Sequence, residues 1–243
     1  MFLAPTFKRM DEPVFAKVIE QGQALQSRLL ELKMVAIGGT AAALHCDHRY
    51  SLDVDCVSPL VAERFPETAE NLENWDGWTT RRKNPPNFIL GQRQGVELAL
   101  RQSRREAPLQ TTSVQGLLIP TIREMLRVKA FLMVERRATR DYIDFVALAS
   151  RLDQDTVLQA LGYLNCVYGA GGVQTPATCF AEACEVPPLD LQAVPLGSYR
   201  GLRSPYTHWS FVAEMCRRFG RLLVKREMNH QLPTELDAGF FES

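Results

Sequence analysis

The spacing of apolar residues changes along this chain, and the changes mark out its elements. From Pro13 to Lys33, Val14, Val18, Ile19, Leu25, Leu29 and Leu30 recur at near-helical spacing, and Pro13 suits a first helical turn. Met34-Val35-Ala36-Ile37 is a short apolar run, read as a buried strand that stops at Gly38-Gly39. Thr40-Ala41-Ala42-Ala43-Leu44 then has the composition of a helix start. Leu52-Asp53-Val54-Asp55-Cys56-Val57 alternates apolar and acidic residues, the period of a strand. Ser58-Pro59 reads as the cap and first position of a helix reaching Asn71. Beyond a turn at Trp75-Asp76-Gly77-Trp78, three short strands are expected, Trp78 to Arg82, Asn87 to Gln92 and Val96 to Arg101.

From Pro120 the pattern turns helical. Thr121 with Glu124 three places on forms a capping box for a helix to Arg137. Thr139 is a candidate cap for the next helix, and Asp153 for one over residues 153–168, ended by Gly169-Ala170-Gly171-Gly172. Thr175-Pro176 starts a short helix to Cys184, residues 186–206 are a Pro- and Gly-rich connector, and His208 to Asn229 is a long amphipathic helix. Residues 1–12 read as a loosely held arm, and the tail from Leu232 as mobile. The fold class expected is α+β: a small mixed β-sheet core with its N-terminal helix over residues 1–119, then a helical bundle over 120–243.

Charge and cysteine content narrow the chemistry. Lys plus Arg equals Asp plus Glu at 28 each, so any site for a polyanion must be a local patch. Candidate patches are Arg81-Arg82-Lys83, Arg136-Arg137, and the Arg217, Arg218, Arg221, Lys225, Arg226 side of the last long helix. The six cysteines contain no Cys-x-x-Cys pair, and several lie in apolar segments where a thiol behaves as a small core residue. No secretory leader and no membrane-length apolar run is visible, so a cytoplasmic protein is expected.

Asp53 and Asp55 fall on one face of their strand, with Cα atoms roughly 6.5 Å apart. Two such carboxylates repel unless a cation sits between them, and oxygen ligands favour Mg²⁺ or Mn²⁺. Gly38-Gly39 at a helix start offers backbone N–H groups to a phosphate. Glu97 is a lone carboxylate on an apolar strand, either a third acid of the site or an exposed strand position, with Asp76 its nearest competitor. Lys129 lies mid-helix among apolar residues and must either snorkel or have an anionic partner. Asp141 and Asp144 share a helix face. His45, Asp47 and His48 could be mistaken for metal ligands, but their position at a helix end favours packing and capping.

The stretch Gly38, Gly39, Thr40, Ala41, Leu44, His45, then His48, Arg49, Ser51, Asp53, Asp55 resembles the polymerase-β-like nucleotidyltransferase superfamily. Within it the chain looks most like the AbiEii/AbiGii-type toxin nucleotidyltransferases, which also carry a Lys followed by Arg-Asp-x-x-Asp, matched by Lys129, Arg136, Arg140, Asp141 and Asp144. The two blocks lie between residues 35 and 148, less than half of the chain. The resemblance implies transfer of a nucleoside monophosphate from a triphosphate to an acceptor. In that reading Asp53, Asp55 and Glu97 hold Mg²⁺ or Mn²⁺, with Glu97 also a base toward the acceptor. Gly38, Gly39, Thr40, Arg49, Ser51 and Lys129 bind the triphosphate. Asp141 and Asp144 position groups around them, with Arg140 tied to one of the two. The implied acceptor is RNA, with tRNA and a cognate antitoxin protein as the partners the resemblance implies, in a toxin–antitoxin or phage-defence setting. A non-catalytic nucleotide-binding module, or a small-molecule or protein acceptor, is the alternative.

Overall fold

The computed structural model describes residues 13–103, 105–169 and 173–241. The N-terminal arm, and residues 170–172 of the expected glycine break, lie outside the described residues. The chain divides into two compact units, one reaching residue 103 and including Thr111–Pro120, the other taking 105–110 and everything from Thr121. Among the described residues, no helix is long and apolar enough to cross a membrane.

The first unit opens with helix α1 (Pro13–Arg28) and a 3-10 turn at Leu30–Leu32. Strand β1 (Val35–Ile37), helix α2 (Gly38–Cys46) and strand β2 (Asp53–Ser58) follow. Helix α3 (Phe65–Glu73) leads to strands β3 (Trp78–Asn84), β4 (Phe88–Arg93) and β5 (Val96–Gln102). These five strands form one mixed sheet in the order β1-β2-β5-β4-β3, parallel only between β2 and β5. Val54, Cys56, Leu98, Leu100 and Ile89 make its buried face, against which α1 packs Phe15, Val18, Ile19 and Leu25. Register then decides what the other face carries. Asp53 pairs with Glu97, Asp55 with Ala99 and Val57 with Arg101, so both aspartates, Glu97 and Arg101 emerge on the same side.

Two features of this unit differ from the sequence expectation. Ser58 is the last residue of β2, not a helix cap: its hydroxyl donates to the Leu32 carbonyl and accepts from the Leu60 N–H. With that oxygen committed, residues 59–64 form turns and α3 starts only at Phe65, with Pro66 in its first turn. A hairpin of β6 (Thr111–Val114) and β7 (Leu117–Pro120) was not anticipated. Its two-residue turn, Gln115-Gly116, has positive φ at both positions (51° and 76°). The Gln26 amide of α1 docks on it, donating to the Leu118 carbonyl and accepting from the Leu118 N–H, each at 2.9 Å.

The second unit is helical: α4 (Ile122–Arg136), α5 (Thr139–Ala149), α6 (Gln154–Gly162), α7 (Leu164–Tyr168), α8 (Pro176–Glu185), α9 (Trp209–Met228) and α10 (Ala238–Phe241). Thr121, Asp153 and Thr175 cap α4, α6 and α8 by accepting backbone N–H bonds. Thr139 is instead the first residue of α5, its N–H and hydroxyl both donating to Asp190. The single helix expected over 153–168 is broken at Tyr163. Helix α5 is buried along nearly its whole length, with Phe145 edge-on to Phe180 of α8 and Phe219 of α9. The tail is anchored at Asp237 and Phe240, contrary to expectation. Phe240 is buried beneath the Arg127 guanidinium at 4.5 Å, and the Tyr163 hydroxyl donates to Asp237.

Candidate active site

Strand β1 hands over to α2 without a capping side chain, since the residue before the helix is Ile37. The helix begins at Gly38, whose φ of +78° disfavours any other residue, and a Cβ there would lie 3.4 Å from Asp55 Oδ2. At Gly39 a Cβ would come within 2.7 Å of both Arg49 Nη2 and Ser51 Oγ. The glycine pair thus lets a guanidinium, a hydroxyl and a carboxylate close on the helix entrance, where backbone dipoles favour an anion. Arg49 and Ser51 are both buried.

The aspartates are fixed from several sides. Ser51 Oγ donates to Asp53 Oδ1 at 2.7 Å, and Thr40 Oγ1 donates to the Asp53 carbonyl at 2.5 Å. Thr40 therefore spends its hydroxyl on holding β2 against α2, leaving only its backbone for a phosphate. Asp55 Oδ1 lies 3.4 Å from Arg101 Nε. Glu97 is exposed beside Asp53 in register, whereas Asp76 sits in the turn before β3 and is exposed. Among the described residues, no group of three or more His, Cys, Asp or Glu side chains is gathered closely enough to hold a metal ion. Asp53 and Asp55 still suit Mg²⁺, which needs only one or two carboxylates when waters and substrate phosphates complete its shell.

Asp47 and His45 divide their work, and His48 is buried. Asp47 closes α2 in the left-handed conformation (φ 53°), its N–H donating to the Ala43 carbonyl. His45 Nε2 donates to the Pro120 carbonyl at 2.8 Å. Burial, partly offset by that bond, lowers the His45 pKa below the ordinary histidine value. The unfolded chain therefore takes up this proton at higher pH than the folded one. The stability His45 contributes is complete above about pH 6.5 and is lost as pH falls below it. His45→Gln keeps a donor for Pro120 and should shrink the drop in thermal midpoint between about pH 7.5 and about pH 5.5. An equal drop in both proteins would show that His45 does not titrate in this way.

In the helical unit, Lys129 Nζ lies 2.9 Å from Asp141 Oδ1 and 2.7 Å from Asp144 Oδ2, with all three side chains at most 2% exposed. Arg136 Nε approaches Asp141 Oδ2 at 3.4 Å, while Arg140, expected to tie to one of these acids, is exposed and makes neither pair. Lys129 thus has anionic partners and does not snorkel. A cavity of about 190 Å³ in this unit is lined by Phe131, Tyr168 and Phe180 among others, and Glu135 is the charged group on its described wall. Such a wall has no cation to offer a triphosphate. Much of the basic side of α9 is paired internally: Arg218 with Gln154, Arg221 with Glu185 through two bonds, and Arg226 with Asp155.

No protein-family model and no curated protein matches the chain. Among solved structures, JHP933 from Helicobacter pylori superposes with a TM-score of 0.55 at 16% identity, covering 91% of this chain and 97% of its own. The nucleotidyltransferase toxin MenT4 from Mycobacterium tuberculosis superposes with a TM-score of 0.56 at 16% identity, covering 95% and 87%. The likeness is one of fold.

Proposed function

We propose that the chain is a metal-dependent nucleotidyltransferase, moving a nucleoside monophosphate from a triphosphate to RNA, with pyrophosphate leaving from the α-phosphorus, as a toxin of the AbiEii/AbiGii kind. The observation that carries this reading is the convergence of Arg49, Ser51 and Asp55 on Gly38-Gly39, with Asp53 and Glu97 side by side on the adjoining strands. The fold shared with MenT4, itself a nucleotidyltransferase toxin, supports it. Asp53 and Asp55 would hold Mg²⁺ or Mn²⁺, which when bound supplies charge neutralisation for the attacking and leaving oxygens. Backbone N–H groups of Gly38, Gly39 and Thr40 receive the β- and γ-phosphates, and Arg49 offsets their charge. Glu97, exposed and beside Asp53, takes the proton of the attacking acceptor hydroxyl. A cognate antitoxin and a cytoplasmic location belong to the same proposal.

A second reading keeps the transfer but changes the acceptor. The ion pairs of Arg221 with Glu185 and of Arg226 with Asp155 offset part of the cationic surface an RNA would need, which favours a small-molecule or protein acceptor. Incubation with each α-³²P triphosphate, total bacterial RNA and Mg²⁺ separates the two. RNase-sensitive label on RNA is the expected result; label that survives RNase and runs with protein or metabolites sinks the RNA acceptor alone. No label on anything would overturn nucleotidyl transfer.

A further inference from the structure

Arg101 was not among the residues singled out by sequence, yet it completes the acidic face of the sheet. It stands at the end of β5, in register with Val57 of β2 and Phe88 of β4. Its guanidinium lies over the Phe88 ring at 4.4 Å, and its Nε points to Asp55 Oδ1 at 3.4 Å. The side chain is half exposed, and among the described residues neither Nη group donates to a protein acceptor. A guanidinium with one face on an aromatic ring and Nε on a carboxylate keeps its two-pronged Nη edge for a ligand. That edge matches the paired oxygens of a phosphate.

We propose that Arg101 is the phosphate clamp of this site, binding a substrate phosphate through both Nη groups while Asp55 and Phe88 hold the guanidinium in place. The proposal rests on the nucleotidyltransferase reading for the substrate's identity, and the phosphate can belong to the triphosphate or to the acceptor. Calorimetric binding of tripolyphosphate with Mg²⁺, and separately of a short oligoribonucleotide, distinguishes the two sources without any turnover.

For a triphosphate clamp, Arg101→Ala should weaken tripolyphosphate about 10- to 100-fold, with Arg101→Lys restoring only part because it lacks the fork. Phe88→Leu should give a smaller loss in the same direction, since it keeps the charge and removes the stack. Weakening confined to the oligoribonucleotide assigns the clamp to the acceptor. Equal behaviour of Arg101→Ala and wild type toward both probes, including binding of neither, overturns the clamp. Failure of the nucleotidyltransferase reading is distinct, since it appears as wild-type protein that labels no acceptor.

Discussion

Asp53→Asn and Asp55→Asn should each lower nucleotide transfer by at least about a thousandfold while leaving the fold intact. Two carboxylates that hold a cation at the reacting phosphate contribute several kcal/mol at the transition state, and each 1.36 kcal/mol is about tenfold in rate. An asparagine amide keeps the size of the group and loses its charge. The Ser51 hydroxyl can still donate to the side-chain oxygen at position 53, so β2 keeps its local bonding. The ion pair lost at position 55 is half exposed to solvent and is worth little. Thermal midpoints should therefore stay near wild type, or rise as like charges are relieved. Glu97→Gln should behave differently, slowing the single-turnover step by powers of ten while triphosphate binding falls much less. A wild-type rate there would return Glu97 to an ordinary exposed strand position. Undiminished transfer in either aspartate variant would end the carboxylate-metal proposal.

The parts of this site that could be read in the sequence are those that local periodicity determines. Alternation in Leu52–Val57 put Asp53 and Asp55 on one face, and Glu97 stood out as a lone carboxylate in the apolar run of β5. Their register is a tertiary property, and only the parallel pairing of β2 with β5 shows that Asp53 stands beside Glu97. Arg101 escaped notice for that reason. A terminal strand Arg is ordinary until its neighbours are known to be Asp55 and Phe88. The β6–β7 hairpin was missed because its turn is Gln-Gly, which lacks the Asn or Asp that usually marks a tight hairpin. Ser58-Pro59 carried a real capping signal, and the contact with Leu32 overrode it. The tail was misjudged because Phe240 has a buried place only once Arg127 and Tyr163 have been brought to it.

The other large effect is expected at Lys129, on stability more than on substrate. Helices α4 and α5 pack together, and Lys129 is the cation between the two buried acids of α5. Lys129→Met fills similar space but takes the ammonium away from the buried carboxylates of Asp141 and Asp144, with Arg136 still 3.4 Å from Asp141. Removing one partner of a buried ion pair costs about 3–5 kcal/mol, because the charges left behind have lost both water and counter-ion. Urea unfolding at neutral pH should show a loss of that size. Replacing all three together, Lys129→Met with Asp141→Asn and Asp144→Asn, should recover much of it, since the two carboxylates that Lys129 offset are then neutral as well. A lysine that served chiefly to bind the triphosphate would give the opposite pattern. Lys129→Met would then unfold at nearly the wild-type urea concentration and bind nucleotide far more weakly, and the triple variant would be no more stable than the single one. A helix pair held by this triad predicts that stability follows the charge balance of the three side chains, whatever nucleotide is present.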